Sequence, residues 1–239
     1  MALWTRSKVM TFSVIVGLYQ HKKFLPKLIE ALEGQMWNDF EVIFCDDGST
    51  DGTKEWFEGK KFKFKHKYLW HKNKGMRLAK SINRGMEAAK GDNFVLIMGD
   101  SYPELNYLFV LANYAKPDYL ACGVRVQIDD DRAVDIDWRL KRQKIPQDDV
   151  IILNEPYNVL TGNGLMFSRK IYEEVGGWNE KIKGYGGDDN EFIARVYYAG
   201  YICWSIASAI LYHRWHKAQP AVNNDMVDKL LKKYYENPR

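Results

Sequence analysis

Cysteine is scarce in this chain. The three present, Cys45, Cys122 and Cys203, are odd in number and far apart, which excludes a disulfide framework and a paired-cysteine zinc site and predicts reduced, buried thiols. There is also no apolar run of bilayer length, since the longest, such as 204–212, are far too short to span a membrane. No signal-like apolar region opens the chain, so a cytoplasmic location is the expectation. Low-complexity tracts and fixed-period repeats are missing too, which sets aside disordered and solenoid classes. Charge of one sign does not dominate: the formal net charge is +4, spread along the chain except for Lys60, Lys61, Lys63, Lys65 and Lys67. Those lysines alternate with Phe62, Phe64, His66 and Tyr68, a pattern that fits an edge strand with one charged and one aromatic face. No nucleic-acid-binding module accompanies them, so no nucleic-acid partner is expected.

What is present is ordinary globular material. With 239 residues, 46% hydrophobic and 28% charged, the chain can bury the core of one α/β domain. The aromatic share is high at 14%, with eight tryptophans. Most are expected in the core, although aromatic faces also serve sugar-binding clefts.

Hydrophobic periodicity organises the first hundred residues. Short β-branched or aromatic runs at 11–17, 41–45, 68–71 and 93–98 read as strands, and 24–35, 53–58 and 80–90 as helices between them. That alternation predicts a doubly wound, mostly parallel sheet, whose ligands sit beyond the carboxyl ends of the strands. Polar clusters fall at three such ends: Gly17 to Gln20, Cys45 to Ser49, and Gly99 to Ser101. Further on, 119–127 reads as a strand, 129–149 as a charged surface loop, 169–175 and 190–199 as helices, 204–212 as a strand, and 224–235 as an amphipathic helix packed on the domain.

Three short stretches carry candidate chemistry. Asp100 directly follows a buried strand, where a hard divalent cation bridging phosphates needs an oxygen ligand. In Gly184-Tyr185-Gly186-Gly187-Asp188-Asp189, glycines allow close backbone approach and the acidic pair opens a helix whose amide dipoles favour carboxylates. Such a carboxylate either caps the helix or accepts a proton from an attacking hydroxyl, and one residue of the pair can do each. His213 follows an apolar strand and is either a structural histidine or a ligand that completes the Asp100 site, with His216 close by in sequence.

Over roughly residues 11–215 the chain resembles glycosyltransferase family 2, with a second half similar to the carboxyl-terminal region of galactosyltransferases and bacterial chondroitin-polymerase-type enzymes. The resemblance rests on Phe12-Ser13-Val14-Ile15-Val16, Asp46-Asp47-Gly48-Ser49-Thr50-Asp51, Asn73-Lys74-Gly75-Met76-Arg77-Leu78-Ala79-Lys80 with Asn83, and Gly177-Trp178-Asn179-Glu180 followed by Gly184 to Asp189. It implies a GT-A fold, with a Rossmann-like nucleotide-sugar half at about 11–103, an acceptor and catalytic half at about 104–215, and a helical tail at 216–239.

The resemblance also assigns roles. Gly17, Tyr19, Asp46 and Asp47 would hold the base and ribose, and Lys74, Gly75 and Arg77 would line the nucleotide and diphosphate. Gly99 and Asp100 fall on the family's acidic D-x-D motif, whose first aspartate is Met98 here. Asp100 and His213 would bind Mn2+ or Mg2+. A thioether ligand found three residues before the histidine in some relatives is Ile210 here, which leaves water, phosphate or His216 for that place. Asp189 matches the catalytic base, while Asp188, Tyr185 and Gly187 match the acceptor-binding turn. The implied activity is inverting, metal-dependent transfer of a hexose or N-acetylhexosamine, with a UDP-sugar as donor and a glycan or other hydroxyl as acceptor. The rival readings are a non-catalytic sugar-nucleotide or glycan-binding domain, which Met98 favours, and a nucleotidyltransferase, which lacks its Gly-rich basic loop in Gly17-Leu18-Tyr19-Gln20-His21.

Overall fold

The computed structural model of the protein describes residues 11–130, 132–136, 149–216 and 224–236. Strand β1 (Phe12–Leu18) is buried at all seven positions, which is why its sequence is a continuous apolar run rather than an alternating one. It lies between β2 (Phe40–Asp46) and β4 (Asn93–Met98), parallel to both, and β3 (Lys65–Trp70) extends the parallel set beyond β2. The crossovers carry α1 (Leu25–Glu33), α2 (Thr53–Phe57) and α3 (Leu78–Ala88). Pro26 sits in the first turn of α1, where its missing N–H costs nothing.

The second half adds β5 (Ser101–Pro103), α4 (Tyr107–Tyr114), β6 (Tyr119–Asp129), β7 (Arg132–Ile136), β8 (Val150–Ile152), β9 (Leu165–Ser168), α5 (Arg169–Val175), α6 (Asp188–Tyr198), β10 (Ile202–Arg214) and α7 (Asn224–Glu236). All the strands join one sheet in the order β3-β2-β1-β4-β9-β6-β10-β5, with β7 on β6 and β8 on β10. Along that path β3, β2, β1, β4, β6 and β10 run one way, and β9 and β5 oppose them. The sheet is therefore continuous across the two halves expected from sequence, and mostly parallel.

Helices cover both faces. Ala79, Ile82 and Met86 of α3, Ile171 of α5, and Phe192, Ile193 and Val196 of α6 pack on one. Leu25, Leu28 and Leu32 of α1, Phe57 of α2, and Leu108 and Leu111 of α4 pack on the other. The three cysteines are free and buried. Among the described residues no helix is long and apolar enough to cross a membrane.

Several expectations are corrected. The charged segment 129–149 is not simply a loop: 132–136 form β7, paired antiparallel with β6 because the Asp129–Asp130 turn doubles the chain back, and residues 131 and 137–148 lie outside the described residues. The third strand begins at Lys65, opposite Glu41, so Lys65 and Lys67 do stand in an edge strand while Lys60, Lys61 and Lys63 precede it. Helix α4 and strands β5 and β9 went unread from sequence: α4 is apolar nearly all round, and β5 and β9 are too short to show a period.

Candidate active site

Asp100 occupies the turn between β4 and β5. Strand β5 runs antiparallel to the end of β10 with Ser101 opposite His213, and this pairing brings residues far apart in sequence into contact. His213 Nε2 lies 3.4 Å from Asp100 Oδ2, and His216 Nε2 lies 3.4 Å from the same oxygen. Both Asp100 and His213 are 9% exposed. Burial pushes the Asp100 carboxyl up, but contacts from His213 and His216, with the nearby His21 ring, outweigh it and hold the group well below the usual carboxylate range. The ligand atoms of Asp100, His213 and His216 all lie within 4.8 Å of one another, close enough to surround one cation. His213 Nδ1 is buried without a partner, so this ring is held by packing and by its Nε2 side alone.

The Gly184–Gly187 turn takes positive φ at Gly184 (89°), Gly186 (93°) and Gly187 (83°), and delivers Asp188 and Asp189 to the first turn of α6. Asp189 is fixed at both oxygens: Oδ2 accepts from Gly162 N at 3.0 Å and Oδ1 from Asn190 N at 2.9 Å. Burial and the adjacent Asp189 charge push the Asp188 carboxyl up to about 7. Tyr185 is half-buried in the same turn. Val227 of α7 lies directly on Gly187, leaving no room there for a Cβ.

The two clusters are joined by a loop that sequence reading passed over. Asn163 Oδ1 accepts from Met98 N at 3.0 Å and its Nδ2 donates to Ser101 Oγ at 2.8 Å, so it bonds both flanks of Gly99-Asp100. Its neighbour Gly162 holds Asp189. One dipeptide thus ties the carboxylate at the sheet end to the carboxylate at the helix start. The glycine-rich polar string Thr161-Gly162-Asn163-Gly164 was the available signal, and the structure buries all four residues.

At the ends of β1 to β3 lies a second polar group. Asp46 is fully buried, with Oδ1 accepting from Ser49 N at 2.7 Å and Oδ2 from Tyr68 OH at 2.5 Å, so it shapes the turn beneath the surface. Asp47, 2% exposed, accepts from Arg77 N at 2.6 Å and faces His71 Nε2 at 3.2 Å. Burial raises its pKa, opposed chiefly by the Arg77 N–H. Tyr19 is 44% exposed and its hydroxyl accepts from Asn73 Nδ2 at 3.0 Å, while Asn73 Oδ1 accepts from Gly75 N at 2.8 Å. Lys74 is exposed beside them. Gly17 is buried, and a Cβ there would come within 3.0 Å of Met98 Sδ, so Met98 packs against it at the position where the resemblance predicts an acid. Gly99 leaves room for Leu18 and for His21, whose Nδ1 a Cβ would approach to 2.6 Å.

The Trp178 segment behaves differently. Asn83 brackets Trp178 with bonds to its N–H and carbonyl at 2.8 and 2.9 Å, and the indole stacks on Phe192 at 4.1 Å. These recognisable residues hold α3, α6 and the intervening turn together.

Residues 13–176 match the family described as glycosyl transferase family 2. The chain belongs to that family. A second match, described as the N-terminal domain of galactosyltransferase, covers residues 150–217, which include Asp188, Asp189 and His213. Among curated relatives of this family 2 chain, chondroitin synthase of Escherichia coli is 25% identical over 238 residues, covering 84% of this chain and 34% of that protein. Cholesterol galactosyltransferase of Borreliella burgdorferi is 35% identical over 109 residues, 44% of this chain and 29% of that protein. The chain thus spans about a third of the length of these relatives. Among solved structures, S. aureus TarS 1-349 in complex with UDP-GlcNAc aligns with a TM-score of 0.72 at 18% identity, covering 96% of this chain and 67% of that one. That likeness confirms the GT-A fold.

Proposed function

We propose that this family 2 chain transfers a hexose or N-acetylhexosamine from a UDP-sugar to a hydroxyl of a glycan acceptor, with inversion and with a divalent cation. The carrying observation is the Gly162–Asn163 bridge, which couples the candidate metal-binding carboxylate to the candidate base. The UDP and UDP-GlcNAc complexes of TarS and the chondroitin and hyaluronan synthases among the relatives support a UDP-linked donor and a glycan acceptor.

Asp100, His213 and His216 would hold the cation, and their two imidazole nitrogens and one carboxylate suit Mn2+ better than Mg2+. When bound, such an ion supplies neutralisation of the charge left on the departing diphosphate. The residues of this chain do the rest. Tyr19 offers an exposed aromatic face to the base. Asp189, oriented by two N–H donors, takes the proton of the acceptor hydroxyl as its oxygen attacks the anomeric carbon. Asp188, with its raised affinity for a proton, hydrogen-bonds the acceptor from the side. Direct attack opposite the leaving diphosphate gives inversion.

The test is nucleotide release from UDP-, GDP- and dTDP-sugars with and without Mn2+ and candidate acceptors. Metal-dependent UDP release that rises with acceptor is the expected result. Nucleotide-sugar binding without release under any condition would establish the binding-domain alternative instead.

A further inference from the structure

Asn163 stands two residues before β9, in a loop whose backbone is held without help from its side chain. Gly164 N donates to Leu96 O at 2.8 Å, Tyr107 OH donates to Gly164 O at 3.0 Å, and Thr161 Oγ1 donates to Asn163 O at 2.9 Å. Gly162 likewise reaches Asp189 through its own backbone N–H. The buried Asn163 amide is therefore not needed for the loop itself.

The orientation of that amide is fixed by its partners. A backbone N–H only donates, so the atom 3.0 Å from Met98 N is the amide oxygen, and the NH2 group points at Ser101 Oγ, 2.8 Å away. The NH2 group only donates in its turn, so the Ser101 hydroxyl accepts there and its one proton is directed elsewhere. Ser101 is 1% exposed, and the acceptor it meets is Asp100 Oδ1 at 3.4 Å. The direction of the relay, Asn163 to Ser101 to Asp100, thus follows from the donors alone. The other oxygen of Asp100, Oδ2, is the one that both imidazoles face. Ser101 is also the residue paired with His213 between β5 and β10, so the relay and one candidate ligand share a rung of the ladder. A carboxylate held at its rear oxygen presents a single front oxygen to a cation shared with His213 and His216. One not so held must be ordered when the cation binds.

We propose that Asn163 is a positioning residue for the cation: through the Ser101 hydroxyl it sets which oxygen of Asp100 is offered beside His213 and His216, and thereby how tightly the cluster holds Mn2+. This deepens the proposed function and rests on its reading of those three residues as a cation site.

Electron paramagnetic resonance of free Mn2+, titrated into wild type, Asn163→Ala, Ser101→Ala, the double variant and Ser101→Thr with and without UDP, tests it. Each alanine variant is expected to weaken Mn2+ about 10–100-fold, as loss of a partner that orients a metal ligand does. Both act through one hydroxyl, so the double variant should lie within about threefold of the weaker single variant rather than at the product of the two losses. Ser101→Thr keeps the hydroxyl and should hold Mn2+ within about threefold of wild type. Should Asn163→Ala fail to fold, Ser101→Ala still decides, since it leaves the bond from Met98 N to Asn163 in place. Mn2+ affinity within about threefold of wild type in the alanine variants overturns the proposal even where their melting temperature falls, because a role confined to the turn moves stability and not the cation. Losses that multiply in the double variant overturn the relay. A wild-type chain that takes up no Mn2+, with UDP or without it, fails earlier, at the cation reading itself.

Discussion

Two adjacent aspartates at the start of α6 differ in how they are held. Asp189 receives backbone N–H bonds at both oxygens, whereas at Asp188 burial and the neighbouring charge outweigh the backbone N–H bonds, so the second is the one inclined to hold a proton. Asp189→Asn keeps the shape but removes the proposed base, and its amide nitrogen cannot accept one of the two backbone N–H bonds. It is expected to lower kcat by about 10²–10⁴-fold with UDP affinity nearly unchanged, read by steady-state kinetics beside calorimetry. Full activity in that variant would remove Asp189 from the mechanism. For Asp188 the sign of the stability effect follows from its raised value: the folded state binds the proton more tightly than the unfolded one. The group therefore favours folding below 3.8, and that contribution is lost as pH rises through about 7. Asp188→Asn should flatten the pH dependence of the melting temperature across this window and raise the melting temperature at pH 8. A variant with the wild-type profile would show that Asp188 titrates normally.

At the scale of elements, α6 is kept in place by charge as well as by packing. Glu191, 1% exposed, pairs with Arg195 at 3.0 Å, and Arg195 also donates to Val175 O and Gly177 O at 2.7 Å, tying α6 to the end of α5. Removing only the cation takes away the ion-pair partner of a buried carboxylate. Arg195→Met is expected to cost about 3–5 kcal/mol in urea denaturation, and a loss under about 1 kcal/mol would mean that Glu191 finds water or a new partner. The elements also differ in how plainly sequence announces them. Strands β1, β2 and β4 were legible because burial on both faces writes a continuous apolar run bounded by turn residues. Strand β9 and helix α4 were not, since four residues carry no period and an apolar helix has no polar face to reveal it.

For the whole molecule, the candidate cation cluster lies at the edge of a completed sheet and takes no part in the core, where Leu96, Phe167 and Phe192 pack. Chelation is therefore expected to abolish transfer and weaken UDP-sugar binding while the circular dichroism spectrum stays unchanged, with Mn2+ restoring both functions. Unfolding on chelation would show that the ion is structural.

The amino-acid sequence by itself determined the doubly wound half, the buried thiols and the local stretches that hold each polar side chain, because period, turn chemistry and helix starts act over a few neighbouring residues. Only the tertiary structure decided which of those side chains meet. Pairing of β5 with β10 joined Asp100 to His213, a buried dipeptide at 162–163 joined Asp100 to Asp189, and the end of β3 set His71 between Asp47 and Arg77. Such contacts depend on strand order and register, which are fixed by burying two apolar faces at once and leave no trace in the spacing of residues along the chain.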